Sequence, residues 1–236
     1  MQEKANIIAR NVARVREQIA AAAARAGRNA DDVTLVAVTK YADIGTTQLI
    51  IQAGCRDIGE SRPQELWQKA KSLATLQQQT GFRWHMIGHL QRNKVARTLP
   101  LTALVHSVDT ARLLAAINNA ATETRPRVLL EINISGDASK HGWQPEDMLD
   151  VIDGLTAYSN VEIIGLMTMA SRSGDVEHAR RDFAALRELR DQLQPSCPPH
   201  CRLSELSMGM SRDFAAAIEE GATIVRVGSA LFAGVS

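Results

Sequence analysis

A lysine, two glycine–serine turns and an arginine carry the side chains here that could do chemistry together. Lys40 follows the apolar run Leu35-Val36-Ala37-Val38 with only Thr39 between. A lysine at the inner mouth of a buried strand loses hydration, which lowers its pKa and favours the neutral amine. Neutral amine is the nucleophile that forms a Schiff base with an aldehyde. The same position also suits a lysine that only marks a strand exit and reaches out to solvent. Ser207-Met208-Gly209-Met210-Ser211 leads straight into a helical stretch, and Gly228-Ser229 follows Val225-Arg226-Val227. Backbone N–H groups at a helix start, with serine hydroxyls beside them, make a phosphate site. Two ordinary tight turns would use the same residues.

Strands and helices must bring these pieces to one place. Ile8, Val12, Val15 and Ile19 recur at helix spacing and predict a leading helix with one face docked on a core. The leading segment is basic, like an organellar transit peptide, but it lacks the serines of one, so a structural helix is expected. Beyond it, short β-branched runs predict strands at Thr34–Thr39, Arg56–Gly59, Arg83–Ile87, Ala103–Val108, Arg127–Ile134, Val161–Met169, Glu205–Met208 and Ile224–Val227. Helical stretches separate nearly all of them. Expected helix starts are Pro63, Pro145, a cap at Asp109 or Thr110, one at Asp175, and one at Ser211 with Asp213.

Strands alternating with helices, several of them continuously apolar, argue for a buried parallel sheet. No G-x-G-x-x-G follows the first strand, which weakens an open dinucleotide-binding sheet. The 236 residues suit one closed barrel, since such barrels run to about 250. The expected fold is therefore α/β, a single (β/α)8 TIM-type barrel domain over residues 1–236 with an extra N-terminal helix.

Strand C-terminal ends form the functional face of such a barrel. Here they carry Lys40, Glu60, His85, Asp109, Asn133, Met167–Met169, Ser207–Ser211 and Gly228–Ser229. An aldehyde-trapping lysine on the first strand would face a phosphate cradle on the last two. Pyridoxal 5′-phosphate carries both handles. Arg226, one pleat before Gly228, could donate to its pyridine nitrogen, leaving that nitrogen unprotonated and the ring a weak electron sink.

Composition narrows the alternatives. With 45% hydrophobic residues, 22% charged and a net charge of +1, the chain is neither disordered nor a basic nucleic-acid binder. No apolar stretch reaches the ~18 residues of a membrane span. Three cysteines without paired spacing argue against a secreted disulfide framework. Cys197 and Cys201 bracket Pro198-Pro199-His200, but no second ligand pair follows, so no metal is expected. Gln91-Arg92-Asn93-Lys94 reads as a solvated helix start. Asp137–His141 reads as a polar loop where Lys140 can reach the mouth or face water.

These residues also match a known family: the chain resembles the pyridoxal-phosphate homeostasis proteins from Val12 to Phe232. The resemblance rests on Leu35–Lys40, Trp84–Lys94, Gly165–Met169, Leu206–Ser211 and Val225–Phe232. It implies a fold like the N-terminal barrel of alanine racemase, with pyridoxal phosphate held on Lys40 as an internal aldimine. Ser207, the Gly209-Met210-Ser211 turn and Gly228-Ser229 would hold the phosphate, and Arg226 would lie at the ring nitrogen. His85 and Met167 complete the expected cofactor-binding set. The resemblance further implies a cytoplasmic protein, a monomer or weak homodimer, that buffers the cofactor or delivers it to apo-enzymes without catalytic turnover. Two departures stand out: Gly59-Glu60-Ser61-Arg62 replaces the usual Gly-Glu-Asn-Tyr, and His89 replaces a small residue or proline.

Two enzyme readings compete. A racemase needs an acid/base on each face of its intermediate. In alanine racemase the opposing base comes from a second domain, which a chain ending at Ser236 is expected to lack. A barrel enzyme using Lys40 as a Schiff base toward a phosphorylated metabolite is the other reading.

Overall fold

Strands form at each of the places where β-branched runs predict them. They are β1 Thr34–Val38, β2 Asp57–Glu60, β3 Arg83–Met86, β4 Thr102–Val108, β5 Arg127–Glu131, β6 Glu162–Met167, β7 Cys201–Ser207 and β8 Ile224–Val227. The computed structural model describes residues 2–121, 124–137, 140–171 and 175–235. All neighbouring strands pair in parallel, and β8 closes on β1 through Val36↔Arg226 and Ala37↔Val227. The result is the expected (β/α)8 barrel.

Around it run α1 Gln2–Arg25, α2 Ile44–Gln52, α3 Pro63–Ser72, α4 Ala74–Thr80, α5 Val95–Thr98, α6 Ala111–Ala120, α7 Met148–Gly154, α8 Val176–Leu193 and α9 Phe214–Glu219. Ile8, Val12, Val15 and Ile19 of α1 are all buried, as their spacing requires. Asn11 pins that helix by donating to the Leu231 and Ala233 carbonyls at 3.1 and 2.9 Å. No helix among the described residues is long and apolar enough to cross a membrane.

Several boundaries differ from the sequence reading. β7 starts at Cys201, ahead of Glu205, because Pro198-Pro199 end the preceding helical turn and Cys201 N–H closes on the Pro198 carbonyl at 2.8 Å. The Cys197 and Cys201 sulfurs then lie 3.2 Å apart, while His200 Nε2 turns away to the Leu155 carbonyl at 3.0 Å. β5 stops at Glu131, and Ile132 bridges instead to Trp143. In the expected loop Asp137–His141, Ala138 and Ser139 lie outside the described residues, as do Met1 and Ser236 of the expected domain.

Thr110 rather than Asp109 caps α6, accepting from Leu113 N–H at 3.3 Å, and Asp175 caps α8 as expected. Ser211 caps nothing. Its hydroxyl oxygen accepts from Gly228 N–H at 3.1 Å and Ala230 N–H at 3.4 Å, while Asp213 takes Met210 N–H at 2.6 Å.

Most of the core lies between the barrel's outer face and the helices. Inside the barrel, Val36, Leu104, Leu129, Ile164, Met167 and Ile224 form a small separate cluster. The rest of the interior is polar.

Candidate functional site

Three adjacent strands, β7, β8 and β1, with the turns that follow them, supply most of the residues singled out by sequence, while His85 lies on β3 and Met167 on β6. Val36 faces the barrel interior, and strand side chains alternate, so Val38 and Lys40 share its side. Lys40 therefore lies on the inward parity, beyond the end of β1. It is exposed, however, with its amine 4.9 Å from the centroid of the equally exposed Tyr41 ring. The expected burial of this lysine is not met, because β1 ends at Val38 and the next residues turn over the rim. Glu60 is corrected too. It points outward, taking Lys69 Nζ at 2.5 Å and the Thr39 hydroxyl at 2.6 Å.

The turns after β7 and β8 meet each other and β1. A Cβ on Gly228 would lie 3.4 Å from Val38 Cβ, and Arg226 N–H donates to the Gly209 carbonyl at 3.0 Å. Gly209 has φ +90°, and a Cβ there would come within 2.6 Å of Ala217 Cβ. Only glycine lets this turn lie so close on α9. The Ser211 hydroxyl knits the two turns together. Among the described residues, the amides of Ser211, Arg212 and Ser229 have no protein acceptor. With only six residues in α9, converging amides rather than a helix dipole supply the positive potential. Met210 is partly exposed on the same turn.

Below the mouth, a chain of hydrogen bonds crosses the barrel. Arg226 NH1 donates to Ser207 Oγ at 2.6 Å, and NH2 to the Thr168 carbonyl at 2.9 Å. Ser207 Oγ lies 2.9 Å from His106 Nδ1, His106 Nε2 lies 2.9 Å from His85 Nδ1, and His85 Nε2 lies 2.8 Å from Asp57 Oδ1. Arginine can only donate and aspartate only accept, so with both imidazoles neutral the Asp57 end sets the direction. Ser207 donates to His106, which donates from Nε2 to His85, which donates from Nε2 to Asp57. Arg83 closes the far end on Asp57 at 2.7 Å.

Three of the predicted cofactor residues have protein partners inside the barrel. Ser207 is fully buried and its hydroxyl is engaged between Arg226 and His106 rather than turned to the phosphate turns. His85 has both ring nitrogens occupied inside the barrel, and Met167 packs in the interior apolar cluster.

Burial lowers Arg226 to about 10, with Glu131 and Asp213 opposing, so it stays cationic at neutral pH. Burial, then the nearby His85 and Arg226, hold His106 well below its ordinary 6.5. Burial alone would raise Asp57, but hydrogen bonds from His85 and Arg83 bring it below 3.8. Burial and then the Asp109 charge raise Glu131 to about 7.

A pH dependence follows. As pH falls below 6.5, the unfolded chain protonates the position-106 imidazole and the folded protein refuses that proton. The His106 contribution to stability therefore falls with pH below 6.5, with a limiting slope of about 1.4 kcal/mol per pH unit for one proton. Asp57 adds a second loss below 3.8, because its folded carboxylate resists protonation. Glu131 opposes the first effect, because the folded carboxyl takes up a proton from about 7 downward while the unfolded one waits until 4.5. Denaturant unfolding of a Glu131→Gln variant at pH 7, 6 and 5 therefore reads the first effect alone; a flat profile in that variant would show that His106 protonates in place.

Sequence reasoning missed Asp57, His106 and Glu131. Period-two parity was the available signal, since Asp57 and His106 lie on strands whose inward positions can be counted from their ends.

Comparison with known proteins extends the picture. Residues 10–235 match the family model described as "Alanine racemase, N-terminal domain". A pyridoxal phosphate homeostasis protein of Aquifex aeolicus is 38% identical over 223 residues, spanning 94% of this chain and 95% of the relative. A solved protein from Bifidobacterium adolescentis superposes with TM-score 0.91 at 40% identity, covering 98% of this chain and 97% of that one. PipY of Synechococcus elongatus, solved with PLP bound, superposes with TM-score 0.83 at 32% identity, covering 95% and 99%.

Proposed function

The chain belongs to the alanine racemase N-terminal domain family and, within it, to the pyridoxal phosphate homeostasis proteins, and from that we propose that it binds pyridoxal 5′-phosphate at the barrel mouth. Its role is then intracellular vitamin B6 homeostasis: one barrel domain that buffers the cofactor or delivers it to apo-enzymes. The observation that carries this reading is the pair of turns knitted by Ser211, with unpartnered amides beside the inward-parity Lys40.

The bound cofactor supplies an aldehyde able to condense with a lysine amine. Lys40 offers that amine. The amides of Ser211, Arg212 and Ser229 donate to the phosphate, with Gly209 and Gly228 keeping the backbone close and Met210 on the rim. A phosphate oxygen can replace the Ser211 oxygen as acceptor for Gly228 N–H, the hydroxyl turning to donate. Arg226 has guanidinium N–H groups beyond those held by Ser207 and Thr168, and offers one to the ring nitrogen. Ser207, His106 and His85 act through Arg226 by fixing its position.

A cationic arginine at that nitrogen keeps it unprotonated and the ring a weak electron sink. The proposed protein is cytoplasmic, a monomer or weak homodimer.

Incubation with the cofactor, borohydride reduction and peptide mapping test the reading. The expected result is a pyridoxyl group on Lys40; no incorporation, or incorporation on another lysine, overturns it. The absence of turnover is tested in deuterated water: deuterium entering the α-position of an amino acid would restore the racemase.

A further inference from the structure

His89 follows β3, Asp109 follows β4, and His141 sits in the segment after β5. Consecutive parallel strands thus bring three residues distant in sequence to one point on the rim. Asp109 is buried, and its Oδ2 faces both rings: His89 Nδ1 lies 3.0 Å away and His141 Nδ1 3.7 Å. The imidazoles stack with centroids 4.7 Å apart and planes 20° from parallel. The same ring nitrogen of each therefore faces the same carboxylate oxygen. One ligand atom from each residue lies within 4.8 Å of the other two.

The supports on both sides are built. Thr110 Oγ1 donates to Asp109 Oδ1 at 3.4 Å, leaving Oδ2 to the histidines. Lys140, next to His141, donates to Ser135 Oγ and to the Met169 and Ala170 carbonyls at 2.8, 3.0 and 3.1 Å. On the other side, Gly142 has φ +115°, and a Cβ there would come within 2.8 Å of the Glu131 carbonyl. Trp143 N–H then donates to that carbonyl at 2.9 Å, and Asn133 N–H returns a bond to the Trp143 carbonyl at 2.9 Å. His141 is clamped at both neighbours while its own side chain stays 64% exposed, and that of His89 48%.

We propose that His89, Asp109 and His141 bind a single divalent transition-metal ion of the zinc class at the barrel mouth. Two imidazoles and one carboxylate suit zinc, cobalt or nickel better than the all-oxygen sites of magnesium and calcium. An ion about 2.0–2.2 Å from each donor holds its ligands roughly 3–3.5 Å apart; the 3.0 and 3.7 Å separations from Asp109 are already near that, and the two stacked rings, whose donors lie within 4.8 Å, rotate to converge on the ion. Three protein ligands leave a coordination position for water or an anionic group. The half-exposed imidazoles give the ion a path from solvent. This site is independent of the cofactor reading, sharing none of its residues.

The test uses the full chain after chelator treatment and dialysis. Cobalt(II) is titrated by its visible absorption, and zinc by equilibrium dialysis. The expected result is saturation at about one ion per chain, with His89→Ala and His141→Ala each weakening binding at least about tenfold. A Cys197→Ser/Cys201→Ser variant should bind as the parent does. Melting curves confirm folding, and both histidines are exposed enough to be replaced without core damage. Absence of saturable binding overturns the proposal. So does binding that survives the His89→Ala/His141→Ala double variant, or that disappears with the cysteines.

Discussion

Replacing Lys40 with alanine is expected to remove all borohydride-fixable cofactor while leaving the fold intact. Lys40 lies beyond the last residue of β1, exposed, with the Tyr41 ring as its recorded contact. Substitution at such a position changes stability by no more than about 0.5 kcal/mol. The chemical effect should be complete, because other lysines near the mouth are committed elsewhere. Lys69 is buried, its amine held between the Thr39 carbonyl at 2.8 Å and Glu60 at 2.5 Å. Lys140 is tied to Ser135 and to the carbonyls after β6. The turns after β7 and β8 do not depend on Lys40, so the variant should keep a weak, phosphate-based affinity that dialysis removes. Label mapping on parent and variant, with melting curves recorded before the cofactor is added, reads both halves. Retention of the full label in the Lys40→Ala protein would move the attachment site to another residue.

The barrel was legible because its evidence is local. Runs such as Leu35–Val38 and Val128–Leu130 announce buried strands wherever they occur, and the helix starts at Pro63 and Asp175 carry their own signals. The Lys40 and Arg226 positions follow from the same runs, since parity along a strand is fixed by its period. What escaped depends on closure. Asp57, His85, His106 and Ser207 lie on β2, β3, β4 and β7, and each alone reads as a polar residue in a strand. Only the closed barrel points them at one another. The burial assigned to Lys40 failed for a related reason: it required β1 to run to Thr39, and the strand ends at Val38. Ser211 illustrates the same limit. A serine before a helix looks like a cap, yet the amides that donate to its oxygen lie on the next turn, brought there by β7–β8 pairing.

His106→Leu is expected to lower the unfolding free energy at pH 7 by about 2–4 kcal/mol, the loss typical of a broken buried polar network. Leucine fills most of the imidazole volume, so the loss is not mainly a cavity. It leaves the Ser207 hydroxyl proton and the His85 Nδ1 lone pair without their partners, both inside a barrel that water does not reach. Ser207→Ala breaks the chain one link nearer the cofactor side and removes the acceptor of Arg226 NH1. If the residues from Arg226 to Asp57 act as one chain, the second break meets bonds already lost. The double variant should then be less destabilised than the sum of the singles, by roughly 1 kcal/mol or more. Removing His106 should also shift the change in stability between pH 7 and 5 in favour of pH 5, because the group that refuses the proton is gone while Glu131 still takes one up. Denaturant titrations of the four proteins at pH 7 and pH 5 measure both effects. Additive losses with an unchanged pH profile would mean that the histidines are independent polar residues, leaving Arg226 positioned by Ser207 and the Thr168 carbonyl without them.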